Sequence, residues 1–259
     1  MEVSTVIELD ELSCGYSRQT VVSGVSLTFE QGKLYSLIGR NGCGKSTLLM
    51  TAAGLIKPMS GDVRVEGVSV FSMKPRELAK KVSFLPQSAV NGDITVRSLV
   101  SHGRFPYLPY PRRYSADDLQ KIDESIEKAG IRELAGRKIS ELSGGQRQKA
   151  RIAMQLAQDT NIMFLDEPTT YLDIGGRLEL MEMFVKLAES GKTVVMALHD
   201  LDFALKYSNV VAVINDGKVA SFASPSETAG NGAINAAFGV SARYDETSGQ
   251  YFFERRNDQ

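Results

Sequence analysis

At 259 residues, with ordinary apolar and charged fractions and a net charge of −1, the chain has material for one full core and no basic footprint for nucleic acid. No apolar run reaches 18 residues, and the opening stretch Met1 to Thr5 lacks the basic and apolar regions of a secretion leader, so neither a membrane-spanning helix nor export is expected. Two cysteines, Cys14 and Cys43, and two histidines, His102 and His199, argue against a disulfide framework or a histidine-rich metal centre and point to a reducing cytoplasm.

In chain order, Val6 to Leu12 reads as a first strand, and Cys14-Gly15-Tyr16 as a turn carrying an exposed aromatic. Val25 to Phe29 and Leu34 to Ile38 flank Glu30-Gln31-Gly32-Lys33, a hairpin signal. The apolar run Leu34 to Ile38 then leads into Gly39-Arg40-Asn41-Gly42-Cys43-Gly44-Lys45-Ser46-Thr47, followed by the helix-forming Leu48 to Ala53. Strand, G-x-x-x-x-G-K-[ST] loop and helix form the context in which backbone N–H groups cradle a polyphosphate. Gly39, Gly42 and Gly44 let the backbone approach the phosphates without a Cβ; Lys45 would reach the β- and γ-phosphates, and the Ser46 hydroxyl would ligate Mg²⁺.

Asp62 to Val65 and Val68 to Val70 read as short strands about Glu66-Gly67, so the first third predicts an antiparallel layer beside the nucleotide-binding sheet. Pro75 to Lys81 is expected as a helix with proline in its first turn, and Val82 to Leu85 as a strand ended by Pro86 and followed by Gln87. From about residue 88 the character is helical. Ser115 stands three residues before Asp118 as a capping pair; Leu119, Ile122, Ile126 and Ala129 recur at helical spacing up to Gly130. Residues 88–160 are read as an α-helical insert within one domain spanning 1–259. The aromatic, proline-rich and basic run Gly103 to Arg113 is a candidate contact loop.

Ile162 to Leu165 is a buried strand that ends in Asp166-Glu167-Pro168. A helix is expected over Gly176 to Ser190, with Leu178, Met181, Phe184 and Leu187 on one face. The strand Thr193 to Leu198 ends at His199-Asp200, and Val210 to Ile214 pairs with Lys218 to Phe222 through Asn215-Asp216-Gly217. Strands alternating with helices and ending in polar residues describe an α/β fold whose parallel sheet presents ligands at its C-terminal edge. Leu142-Ser143-Gly144-Gly145-Gln146 opens an amphipathic helix carrying Ile152, Met154, Leu156 and Ala157. Taken alone, this is either a second anion site or an ordinary serine cap with a glycine-rich entry; the phosphate loop elsewhere in the chain weights the first reading.

With both stretches in view, the whole chain resembles an ATP-binding subunit of an ABC transporter, whose signature pentapeptide stands here as Leu142 to Gln146. The resemblance implies a P-loop core with an antiparallel β layer and an inserted helical subdomain, binding ATP and Mg²⁺. It further implies a head-to-tail homodimer in which Ser143, Gly144, Gly145 and Gln146 clamp nucleotide held by the other copy. Asp166 would hold the Mg²⁺ shell, Glu167 would polarise the attacking water, and His199 would face the γ-phosphate as the switch histidine. Gln87 matches the lid glutamine that senses Mg²⁺ and water, Tyr16 the aromatic stacked on adenine, and Asp173 the loop that crosses the dimer interface.

Asp166 to Ile174, D-E-P-T-T-Y-L-D-I, departs from the commoner family form, which has Ser-Ala before Leu-Asp. With Gly103-Arg104-Phe105-Pro106, Phe238-Gly239-Val240 and Asp245 to Gly249, it resembles the importer branch for iron siderophores, iron citrate, haem and cobalamin. Tyr107 stands where that branch often has histidine. The implied function is an ATPase driving ferric-siderophore or ferric-citrate uptake, with cobalamin or haem as alternatives and a soluble, non-transport ABC ATPase as another. The implied partners are permease subunits docking on about Gln87 to Arg113, with a substrate-binding protein acting indirectly and no nucleic acid, at the cytoplasmic face of the cytoplasmic membrane. A kinase or GTPase reading would leave Leu142 to Gln146 and His199 unexplained.

Overall fold

The computed structural model describes residues 4–17, 19–87 and 92–255. In the first third, β1 (Thr5–Tyr16), β2 (Gln19–Glu30) and β3 (Leu34–Ile38) precede α1 (Lys45–Ala52), which is followed by β4 (Ser60–Val65) and β5 (Val68–Ser69). The middle holds α2 (Pro75–Lys81), β6 (Val82–Leu85), α3 (Val96–Ser101), α4 (Ala116–Lys128), α5 (Gly144–Gln158), β7 (Ile162–Asp166) and α6 (Ile174–Glu189). The remainder is β8 (Thr193–Ala197), α7 (Leu201–Tyr207), β9 (Val210–Asn215), β10 (Lys218–Ala223), α8 (Pro225–Gly230), α9 (Ala233–Phe238), β11 (Val240–Asp245) and β12 (Gln250–Arg255). Among the described residues no helix is long and apolar enough to cross a membrane. The chain forms two compact units, one of Met1–Met73 with Met181–Gln259, the other of Lys74–Leu180.

In the first unit β3 runs parallel to both β8 and β9, with Leu37 opposite Ala197 on one side and Ala212 on the other. Every residue of β3 and β8 is buried, as expected of parallel strands covered on both faces. β10 returns antiparallel to β9 through Asp216 and Gly217, both at positive φ (48° and 69°), the geometry a two-residue Asp-Gly hairpin requires. A separate antiparallel sheet in the order β2-β1-β4-β5 makes the β layer.

In the second unit β6 and β7 pair in parallel, and α3, α4 and α5 fall between them in the chain. α3, α4 and α5 close on a core of Val96, Leu99, Val100, Ile122, Ile126, Ala150 and Ala153. α4 is capped as its sequence predicts: Ser115 Oγ accepts from Asp118 N, and Asp118 Oδ2 accepts from Ser115 N. The expected start of the helical insert and the first part of the proposed contact surface fall on residues 88–91, outside the described residues.

Several expectations are corrected. Cys14-Gly15-Tyr16 is not a turn but the end of β1, paired with Val22, Thr20 and Gln19; a Cβ on Gly15 would lie 2.0 Å from Gln19 O. Glu30 to Lys33 does not make a hairpin, because β2 pairs with β1 and β3 joins the parallel sheet. The segment turns the chain between layers, which turn-forming residues alone do not distinguish from a hairpin. On α4 Leu119 is exposed, while Ile122 and Ile126 carry the core face. On α6 the buried side chains are Leu180, Met181, Phe184 and Ala188, with Leu178 outside.

Candidate functional site

The phosphate loop lies in the first unit, between the C-terminal end of β3 and the start of α1. Gly44 is the N-cap of α1 at φ 105°, with no side-chain cap on the helix. Any side chain there would be strained and would also strike Val22 Cγ2 at 2.3 Å from its Cβ, so glycine is required twice over. Gly39, at φ 157°, is closed in by Ile214 O and Cys43 Sγ. Lys45 is buried, and its ammonium donates to Gly39 O at 2.7 Å and Arg40 O at 3.3 Å, so the cation is folded back onto the loop it serves. Arg40 and Asn41 are exposed. Ser46 and Thr47 sit in the first turn of α1, and Thr51 Oγ1 donates to Thr47 O within it.

Two further predicted residues belong to this unit. His199 follows β8, the strand paired with β3, so it lies beyond the same sheet edge from which the phosphate loop emerges. Tyr16 ends β1 with half its surface exposed, and the strand it pairs with, β2, carries the Val21 and Val22 side chains that would abut a Gly44 Cβ.

The acidic residues lie in the second unit. Asp166 closes β7 and is buried. Glu167 follows at φ 52°, an uncommon backbone region for such a residue. Its Oε2 accepts from Gln87 Nε2 at 2.7 Å and from Thr170 Oγ1 at 3.4 Å. The structure therefore brings Gln87 and Glu167 together, two residues read from motifs 80 positions apart. Asp173 Oδ1 accepts from Gly176 N at 2.8 Å, capping the start of α6. Ser143 is the N-cap of α5: its Oγ accepts from Gln146 N, and its N donates to Gln146 Oε1 at 3.0 Å. Ser143 to Gln146 and Tyr171 to Asp173 line one cavity of about 960 Å³.

The polar stripe of α5 was not read from the sequence as functional. Gln148 Nε2 donates to Pro168 O at 2.8 Å, Arg151 donates to Gln148 Oε1 and Pro86 O, and Gln155 Nε2 donates to Phe164 O. These buried side chains hold the backbone next to Glu167 on one side and next to Gln87 on the other. Burial pushes the Arg151 guanidinium below its ordinary range, opposed by the charge interaction with Tyr171. The signal available was spacing: 148, 151 and 155 share one helix face, and a polar stripe of that kind ordinarily reads as solvent-facing.

Arg104 of the candidate contact loop is also different in kind from its expected role. It is 3% exposed, its Nε 2.9 Å from Asp118 Oδ1, its Nη1 donating to Ala157 O, and its guanidinium 4.0 Å from the centre of the Tyr107 ring. Arg104 thus braces the loop from within. Arg76 adds donors to Pro106 O at 2.8 Å and Leu108 O at 2.5 Å, leaving Pro109 to Arg113 exposed, with Tyr110 97% exposed.

A family model described as ABC transporter matches residues 22–170. The ferric enterobactin transport ATP-binding protein of Escherichia coli (strain K12) is 38% identical over 89% of this chain and 86% of its own. The iron(3+)-hydroxamate import ATP-binding protein of Bacillus subtilis (strain 168) is 39% identical over 82% of this chain and 80% of its own. Among solved structures, a dimeric ATP-binding cassette in a post-hydrolysis state, bound to ADP and phosphate, superposes with a TM-score of 0.75 at 28% identity, over 85% of this chain and 98% of that one. The uncapped, glycine-built phosphate loop and the signature-capped α5 thus occur in a chain that belongs to the ABC transporter family, as an ATP-binding subunit with ATPase chemistry.

Proposed function

We propose that this chain is the ATPase subunit of an importer for ferric siderophores, acting as a homodimer on the cytoplasmic face of the cytoplasmic membrane. The observation that carries the ATPase reading is the start of α1: a glycine-capped helix with no side-chain cap, preceded by a loop that holds a buried lysine against its own carbonyls. The iron-chelate reading is supported by the relatives named for enterobactin and hydroxamate transport and by the D-E-P-T-T-Y-L-D-I run.

In this reading the loop amides and Lys45 bind the phosphates, while Tyr16 stacks on adenine. Ser46 and Asp166 would hold Mg²⁺ together with the nucleotide, one hydroxyl and one carboxylate being the hard oxygen donors that this ion takes beside phosphate. When bound, Mg²⁺ neutralises charge on the phosphate oxygens. Glu167 orients and polarises the attacking water, Gln87 holds its carboxylate and senses the ion, and His199 faces the γ-phosphate. Ser143, Gly144, Gly145 and Gln146 meet the nucleotide of the partner copy, and Asp173 lies on the loop that crosses to it. Permease subunits dock on the face from Gln87 to Arg113, where Phe105 and Tyr107 are half-buried and Tyr110 stands out.

Glu167→Gln tests the chemistry: turnover should fall about 10²- to 10⁴-fold, the range for loss of a general base, while ATP stays bound and the dimer elutes intact on size exclusion. Normal turnover by that variant would remove Glu167 from its role. Deleting the gene and measuring growth on defined ferric siderophores, ferric citrate, haem or cobalamin tests the cargo. A defect confined to cobalamin or haem would replace the siderophore assignment.

A further inference from the structure

We infer that Tyr171 is a positioning residue for the first turn of α5, the turn that carries the signature glycines. Its backbone sits at φ 69°, a conformation that bulky residues rarely hold, and the residue is 64% exposed, so core burial does not account for it. What it touches is the signature turn. A Cβ built on Gly144 would lie 3.2 Å from Tyr171 Cβ and 3.4 and 3.6 Å from ring atoms Cγ and Cδ1. A Cβ on Gly145 would meet Tyr171 O at 3.1 Å and Leu172 Cδ2 at 3.3 Å. In this chain the Tyr171 side chain lies against Gly144, and the Tyr171 carbonyl and the Leu172 side chain lie against Gly145, so an added Cβ at either position would press on the Tyr171 loop. The tyrosine and the turn are matched surfaces beside the shared cavity of about 960 Å³. Residue 171 thereby sets how α5 presents its first N–H groups, an inference that rests on the proposed role of Ser143 to Gln146 at the partner's nucleotide.

The test is a set of double-substitution cycles on the full-length protein, reading steady-state ATPase over an ATP titration. Gly144→Ala should lower kcat/KM about tenfold, because a displacement of tenths of an ångström at a positioned group is already costly. Tyr171→Gly frees the flank of the turn while suiting the local φ; it should raise KM several-fold with kcat nearly retained. In that background Gly144→Ala should cost less than about twofold, because the obstructing side chain is gone. Gly145→Ala should keep its full cost there, since its neighbours, the carbonyl of residue 171 and the Leu172 side chain, are both retained. Tyr171→Ala, which retains Cβ but not the ring, should rescue Gly144→Ala partly, and thermal unfolding midpoints show that each variant is folded. An equal cost of Gly144→Ala in the wild-type and Tyr171→Gly backgrounds overturns the inference while leaving the signature reading intact. No cost of Gly144→Ala in any background overturns the signature reading, and the inference with it.

Discussion

The helices α1 and α5 both begin at glycine-rich turns, and the two turns are built in opposite ways. α1 starts at Gly44, an N-cap with no side chain of its own, and the nearby cation, Lys45, is tied to carbonyls of the preceding loop. α5 starts at Ser143, which closes a reciprocal capping box with Gln146. The same box closes α4 through Ser115 and Asp118 and α8 through Ser224 and Glu227. Every helix start carries N–H groups without partners inside the helix; α5 assigns part of that set to its N-cap side chain, which a glycine N-cap such as that of α1 cannot do. In the proposed function the start of α1 meets a ligand from outside, whereas the start of α5 is by itself ordinary helix chemistry, set apart by Gly144, Gly145 and the Tyr171 that lies against them.

The contrast breaks most visibly at Lys45. Lys45→Ala removes a charged donor placed at the loop, and charged hydrogen bonds are worth about 1.5–3 kcal/mol each. Nucleotide affinity should therefore fall roughly 100-fold in equilibrium binding to the full-length protein. A change below about threefold would mean that the glycine-built turn binds phosphate through backbone alone, and that the lysine does not distinguish α1 from α5.

The two turns were unequally legible in the sequence, for physical reasons. An apolar run, three glycines and Lys-Ser-Thr before a helix leave few alternatives, since backbone at the positive φ of Gly42 and Gly44 is open chiefly to glycine. Ser143 to Gln146 left two readings open, and the structure contains the capping one. Arg104 stands by sequence in a basic, proline-rich candidate contact loop, because sequence lists a charge without its partner; Asp118, 14 residues on, is what draws it inside. Gln148, Arg151 and Gln155 are opaque in sequence for the same reason, their acceptors being backbone carbonyls outside α5. Glu30 to Lys33 shows the converse limit: local turn chemistry says that the chain reverses, not which sheet the next strand joins.

The capping box of α4 is the reference for what such a box does when a buried ion pair is added to it. Arg104→Met leaves Asp118 without its cation and should destabilise the protein by about 3 kcal/mol, the lower range for breaking a buried pair, read as a shift in urea midpoint. Burial pushes the Asp118 carboxyl up, but the Ser115 N–H and hydroxyl and the Arg104 guanidinium outweigh it and hold it below its ordinary value. With its folded value depressed, Asp118 contributes stability fully above the unfolded-state value of about 3.9 and loses it as pH falls through the folded one. The stability gap between wild type and Asp118→Asn should accordingly be constant from neutral pH down to about 4 and narrow below it. A gap that widens in acid would mean that the carboxyl is not held ionised by these donors.

The smallest expected effect is at Ser143, and it separates the two meanings of the α5 turn. As a cap, Ser143→Ala should cost about 1 kcal/mol, a fall of roughly 2–4 °C in the unfolding midpoint for a chain of this size. Ser115→Ala in α4 loses the same bond from the N3 amide and also the hydroxyl's own bond to Asp118 Oδ2, so it should cost at least as much. Any loss of ATP turnover found in Ser143→Ala and not in Ser115→Ala therefore isolates what Ser143 does beyond capping. If turnover falls only in Ser143→Ala, the turn acts on nucleotide in the assembled dimer. If turnover falls equally in both, the loss follows stability, and α5 begins as α4 does, with a cap and nothing more.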